Sequence, residues 1–140
     1  MYKRQSNNRY WQYKQKPVLL IGGSITDNLF HIPNLKEHLD LLKSVGGNYV
    51  RCTMSPGDDD VQPFEKVGDK YDLDKWNSEY WQRFERFLKL TSQRDIIVQI
   101  EVWATFSYYR DSWAENAFNP KNNINYTCLL YTSPSPRDRS

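Results

Sequence analysis

The side chains able to do chemistry in this chain cluster around four short stretches. Arg51 sits inside Tyr49-Val-Arg-Cys-Thr, and Glu101 closes Ile96-Ile-Val-Gln-Ile-Glu. A guanidinium is always charged and can hold a carboxylate in fixed geometry; the plain alternative for Arg51 is a surface ion pair. Asp27 and Asn28 follow Gly22-Gly23-Ser24, where a simple turn competes with a polar site. Between 101 and 113 come Trp103, Phe106, Tyr108, Tyr109 and Trp113, with Arg110 and Asp111 among them. Tyr and Trp join an apolar face to a polar edge, which suits the C–H face of a sugar. The same rings would also serve as the small core of a loop.

Other reactive types are less well placed. Cys52 alternates with Arg51 on its strand and reads as a small core residue rather than a nucleophile. Asp58, Asp59 and Asp60 lack the twelve-residue spacing of a calcium loop, and His31 and His38 have no partner at ligand spacing. No metal or cofactor site is expected. Gly22-Gly23 lacks both G-x-G-x-x-G and G-K-[ST], and about ten residues separate it from the next helix. A flavodoxin-like phosphate-binding protein is therefore only a third reading.

The elements must be sought within 140 residues, 39% hydrophobic, 26% charged and 15% aromatic, with a net charge of +2. No apolar run reaches the ~18–20 residues of a membrane-spanning helix, and the first residues lack the apolar stretch of a secretory leader. Compartment is left open. Six glycines and two cysteines exclude collagen-like and disulfide-scaffold classes. From Cys128 to Ser140 the text turns to Cys-Leu-Leu-Tyr-Thr-Ser-Pro-Ser-Pro-Arg-Asp-Arg-Ser. Codons for Cys128–Asp138 can be chosen that resemble, throughout, the adapter of a transposase-based DNA sequencing kit. Residues 128–140 are accordingly expected to be a non-native tail, set apart from fold reasoning. Without Arg137, Arg139 and Asp138 the net charge becomes +1, and Cys52 is the single remaining cysteine.

Residues 1–16 hold five basic side chains and no acid. A nucleic-acid-binding arm is one reading, but Tyr10-Trp-Gln-Tyr and Val18-Leu-Leu-Ile flank Lys14-Gln-Lys-Pro as a β-hairpin would, over 9–21. Val18–Ile21 reads as a strand buried on both faces. A helix is predicted from Asn34 as N-cap, with Leu35, Leu39 and Leu42 on its apolar stripe and Gly46-Gly47 as its stop. Tyr49–Thr53 is a second strand, and residues 55–75 read as one long connection. A second helix spans about 77–92, its inner stripe formed by Tyr80, Phe84, Phe87, Leu88 and Thr91. Ile96–Val102 is a third strand. Successive βαβ units imply an α/β chain with a parallel sheet.

Several of these pieces, in order, carry a resemblance. Gly47-Asn48-Tyr-Val50-Arg51 follows an amphipathic helix; Tyr71-Asp-Leu-Asp-Lys-Trp-Asn leads into the second; Ile96-Ile-Val-Gln-Ile-Glu-Val-Trp comes after it. Over about residues 9–127 this resembles the opening of cellulase-like glycoside hydrolases, whose fold is a (β/α)8 barrel. The resemblance implies that 1–127 is the N-terminal portion of such a TIM barrel. The hairpin would lie at 9–21, the barrel units at 18–127, and the chain would be cut after the third barrel strand. It further implies that Arg51 supports a nucleophilic carboxylate. Alternation within barrel strands then turns Arg51, Thr53, Gln99, Glu101 and Trp103 inward, with Val50, Cys52, Val98, Ile100 and Val102 toward the helices.

Retaining glycosidases need two carboxyl groups ~5–5.5 Å apart and inverting ones ~6.5–9.5 Å. In the family these end the fourth and seventh strands, the first within an Asn-Glu pair. Residues 1–127 contain no Asn-Glu pair. Glu101 is thus expected to bind sugar or support the site. The expected function is a fragment of a glycoside hydrolase supplying part of a carbohydrate cleft through Asp27, Asn28, Arg51, Glu101, Trp103, Tyr108 and Trp113, without the catalytic pair. Neither nucleic acid nor membrane is an expected partner. A non-catalytic carbohydrate- or protein-binding module is the alternative.

Overall fold

Trp11–Tyr13 (β1) and Lys16–Val18 (β2) pair antiparallel around Lys14 and Gln15, whose φ values are 49° and 65°. Two left-handed residues give the type I′ turn that matches strand twist. The bend is thus shorter than Lys14–Pro17: Lys16 and Pro17 belong to β2. The computed structural model describes residues 10–55, 61–102, 105–108 and 112–126.

Val18–Ile21 is not the doubly buried strand that its composition suggests. The ladder of β2 ends at Val18, and Leu19 and Ile21 are exposed. Asn48 explains the difference. Its Oδ1 accepts from Ile21 N–H (2.8 Å), its Nδ2 donates to the Leu19 carbonyl (3.0 Å), and its own N–H donates to the Ile21 carbonyl (2.7 Å). A side-chain amide has replaced ladder hydrogen bonds, and only Gly22 bridges Tyr49 in parallel fashion.

Leu35–Ser44 (α1) begins after Asn34 as predicted, although the Asn34 side chain makes no capping bond. Leu35 and Leu39 are buried. Gly46 at φ 85° ends the helix: its N–H donates to the Lys43 carbonyl, and Gly47 N–H to that of Leu42. This double closure satisfies carbonyls that the last helical turn leaves open.

Tyr49–Thr53 (β3) follows. The stretch expected as one long connection instead holds a second hairpin, Phe64–Val67 (β4) and Lys70–Trp76 (β5), around Gly68 at φ 67°. Its core is Phe64 and Tyr71 against Ala117, with Leu73 and Phe118 packed alongside. Those partners lie about fifty residues downstream, so the neighbouring sequence gives little sign of a buried face.

Ser78–Gln93 (α2) is capped by the Asn77 side chain, which accepts from Glu79 N–H at 3.1 Å. Tyr80, Phe87 and Thr91 are buried and Phe84 packs against the same core. Leu88 leaves the predicted inner stripe: it is exposed, because it sits about 100° round the helix from Phe87. Ile97–Glu101 (β6) then pairs with β3 in parallel, from Tyr49 opposite Ile97 to Thr53 opposite Glu101. The main core joins Leu29, Phe30, Leu35, Leu39, Val50, Cys52, Tyr80, Phe87 and Ile96.

Asp95, just before β6, accepts from Tyr13 Oη (2.6 Å) and Lys14 Nζ (2.8 Å), tying the first hairpin to the amino-terminal end of the parallel pair. Among the described residues the chain is mixed α/β with small sheets: β3–β6 pairs in parallel, and the two hairpins are antiparallel.

Candidate functional site

Alternation along β3 and β6 sorts side chains as expected where helices cover the sheet. Val50 and Cys52 are fully buried, and Val98 packs on the same core. Ile100 and Val102, assigned to that side, are 40% and 58% exposed, since nothing among the described residues flanks β6 away from β3. Burial pushes the Cys52 thiol up, which keeps it protonated and unreactive.

The opposite face is polar. Tyr49 Oη donates to Gln99 Oε1 at 2.5 Å. One step toward the carboxyl ends of the strands, Arg51 grips Glu101 at two points, Nε to Oε1 (2.6 Å) and Nη2 to Oε2 (2.9 Å). Its Nη1 donates to Asp27 Oδ1 at 3.1 Å. Two main-chain bonds fix this geometry: Thr53 N–H to the Asp27 carbonyl and Met54 N–H to that of Glu101, each 2.8 Å. Three predicted site residues therefore form one cluster, and Asp27 is part of it rather than of a plain turn.

The hydrogen bonds from Arg51 hold the Glu101 carboxyl below the usual range against the opposing effect of desolvation, and Glu101 in turn raises Arg51. An ionised carboxylate bound by arginine accepts hydrogen bonds; it has no proton to give at neutral pH. Two guanidinium N–H groups and several carboxylate lone pairs are left over, a set suited to hydroxyls.

Asn28 serves the next element. Its carbonyl accepts from His31 N–H (3.0 Å), opening the short 3-10 turn Leu29–His31, which buries Leu29 and Phe30. Tyr108, in the 3-10 turn Thr105–Tyr108, and Trp113, in the one-turn helix Ser112–Glu115 (α3), lie 6.0 Å apart between ring centroids. Tyr108 also stacks on Phe118 (6.3 Å), which meets Phe64 edge-on (5.6 Å). The two rings do gather, and they do so on the second hydrophobic core. Burial raises the Tyr108 hydroxyl. Trp103, Tyr109, Arg110, Asp111 and the Asp58–Asp60 run lie outside the described residues.

Sequence reasoning missed the asparagines at 116, 119, 122, 123 and 125. Asn116 Nδ2 donates to the Ser107 carbonyl (2.8 Å), Asn119 Nδ2 to that of Trp113 (2.8 Å), and Asn123 Nδ2 to those of Ala117 and Asn119. Asn125 accepts from Leu73 N–H (2.7 Å) and donates to Asp72 (3.0 Å) and Asp74 (2.9 Å). Their density in a short segment was the available signal, since asparagine amides bind nearby main chain and stabilise non-repeating backbone.

No family model and no curated protein matches the sequence. Among solved structures the chain is similar to one described as a putative glycoside hydrolase from Bacteroides vulgatus, with a TM-score of 0.62 at 15% identity. The match covers 83% of this chain and 26% of that one, so this chain spans about a quarter of that protein's length. At that identity the likeness is one of fold.

Proposed function

We propose that residues 1–127 are the N-terminal portion of a (β/α)8-barrel glycoside hydrolase of cellulase-like type, joined to a non-native tail at 128–140. The observation that carries the reading is Arg51 holding Glu101 and Asp27 at the carboxyl ends of adjacent parallel strands, where barrel enzymes assemble their sites. The open flanks agree with it. Leu19 and Ile21 are exposed on one side of the β3–β6 pair, and Ile100 and Val102 on the other, positions that further strands and helices would cover in a closed barrel. The fold likeness to a protein about three times as long supports the same reading.

In this assignment Arg51 orients and keeps ionised a carboxylate of the site. Asp27, Asn28, Glu101, Trp103, Tyr108 and Trp113 contribute to a carbohydrate cleft. The acid and the nucleophile come from strands beyond β6, so the 140-residue chain has no glycosidase turnover of its own. The test is the coding sequence around the Cys128 codon in an independent clone. Continuation past Thr127 into further βα units, with an Asn-Glu pair ending a strand, supports the proposal. Genomic DNA that reads through Cys128–Ser140 to a stop codon overturns it, as does hydrolysis of a glycoside by this chain.

A further inference from the structure

Strand edges are ordinarily blunted by lysine, proline or a bulge. Lys16 and Pro17 do this on β2, Lys66 and a register shift after Phe64 on β4, and Lys70 and Lys75 on β5. β6 has none of these guards. Ile97–Glu101 contains no lysine or proline, its ladder with β3 runs unbroken, and its other edge pairs with no described strand. Its one charge, Glu101, is held by Arg51. The main-chain groups along the open edge can be identified. Ile97 N–H donates to the Asn48 carbonyl and the Glu101 carbonyl accepts from Met54 N–H, so odd-numbered residues address β3. Alternation turns the N–H and C=O groups of Val98, Ile100 and Val102 to the other side. The exposed side chains of Ile100 and Val102 stand beside them.

We propose that this edge binds a second copy of the 140-residue chain, β6 pairing antiparallel with β6 about a twofold axis through Ile100. The strand is complementary to itself in that register. Ile100 faces Ile100 of the second copy, Val98 faces its Val102, and Gln99 faces its Glu101. Apolar side chains then meet on one face of the sheet, and an amide meets a carboxylate on the other. Tyr49 Oη donates to Gln99 Oε1, which leaves the Gln99 Nε2 hydrogens for that carboxylate. The neighbouring registers fail. One sets Glu101 against Glu101, like charge on like charge; the other sets Val102 against Ile96, which is buried in the core. A net charge of +2 gives two copies little long-range repulsion. A single strand pair falls short of the roughly 800 Å² per partner of a stable interface, so the dimer is weak and concentration-dependent. A closed barrel would give this edge to its own next strand, so the inference concerns the 140-residue chain and is independent of any activity.

The experiment is analytical ultracentrifugation of the full chain from about 10 μM to about 1 mM, where a reversible shift from monomer to dimer is expected. Ile100→Lys, at an exposed position, should weaken association at least about tenfold with circular dichroism unchanged. Disulfide trapping in a Cys128→Ser chain reads the register. Ile100→Cys should cross-link to itself, because facing Cα atoms lie about 5.5 Å apart in a hydrogen-bonded pair, within disulfide reach. Val98→Cys should not, since its counterpart is displaced four residues along the strand, about 13 Å. A monomer at every concentration overturns the proposal, as does a dimer that survives Ile100→Lys. Equal trapping through Val98→Cys overturns the register, and growth past the dimer overturns the twofold in favour of open-ended assembly. None of these results bears on the barrel reading, which the coding sequence around Cys128 decides.

Discussion

Arg51 and Glu101 are fifty positions apart in the chain and meet side by side, Nε on Oε1 at 2.6 Å and Nη2 on Oε2 at 2.9 Å. The parallel register makes this possible. Glu101 lies opposite Thr53, two residues beyond Arg51 and on the same face, so the long arginine side chain reaches diagonally to it.

That pairing predicts a pH signature. Glu101 has a folded pKa below its ordinary value, chiefly because Arg51 hydrogen-bonds its charged form. Its contribution to stability is thus complete above the ordinary value and is lost as pH falls through the folded one. Carboxyl NMR should place the Glu101 midpoint below the ordinary glutamate value in the native chain and move it up in Arg51→Gln. A midpoint indifferent to that substitution would contradict the observed grip.

Gly22 and Gly23 should respond in opposite ways to alanine. A Cβ at Gly22 would run into the Tyr49 carbonyl, whereas at Gly23 it meets nothing within 4 Å. Gly22→Ala should cost about 1–3 kcal/mol through displaced main chain. Gly23→Ala should be neutral or stabilise by about 0.4–1 kcal/mol. Thermal unfolding of both variants decides it. The pair also gives Gly22 a purpose: close approach of two backbones.

Cys52 should resist thiol reagents until the chain unfolds. It is fully buried between β3 and the helices, and desolvation raises its pKa. Its labelling rate should rise with denaturant in step with loss of circular dichroism. Rapid labelling in native buffer would mean that α1 and α2 do not cover β3.

Removing the Asn125 side chain should loosen the second hairpin. Asn125→Ala leaves the Leu73 N–H without its acceptor and takes one hydrogen bond from each of Asp72 and Asp74. A cost of about 1–3 kcal/mol is expected for stranding part-buried polar groups. Faster hydrogen exchange at Leu73 is the local readout, and unchanged exchange there would refute it.

What was legible in the sequence depended on how near the partners lie. Both long helices are local patterns with local caps, and Asn77, Gly46 and the Tyr80–Phe87–Thr91 stripe announce them. Arg51 and Glu101 were readable because strand alternation points them to one face. The hairpin β4–β5 was not, because the face that Phe64 and Tyr71 bury is completed only by Ala117 and Phe118. Leu19 and Ile21 misled for a related reason: an apolar run announces a buried strand, but Asn48 uses its side chain to hold that segment at one edge.

The clasp between Asn125 and the hairpin also sets an order of events during synthesis. Chains leave the ribosome at about 5–20 residues per second, so β5 emerges several seconds before the asparagine that occupies its Leu73 N–H. Over that interval Phe64 and Tyr71 have no Ala117 or Phe118 to cover them. A nascent chain halted before Asn116 therefore exposes a sticky hairpin, and whatever shelters it must let go in time for the asparagines to arrive.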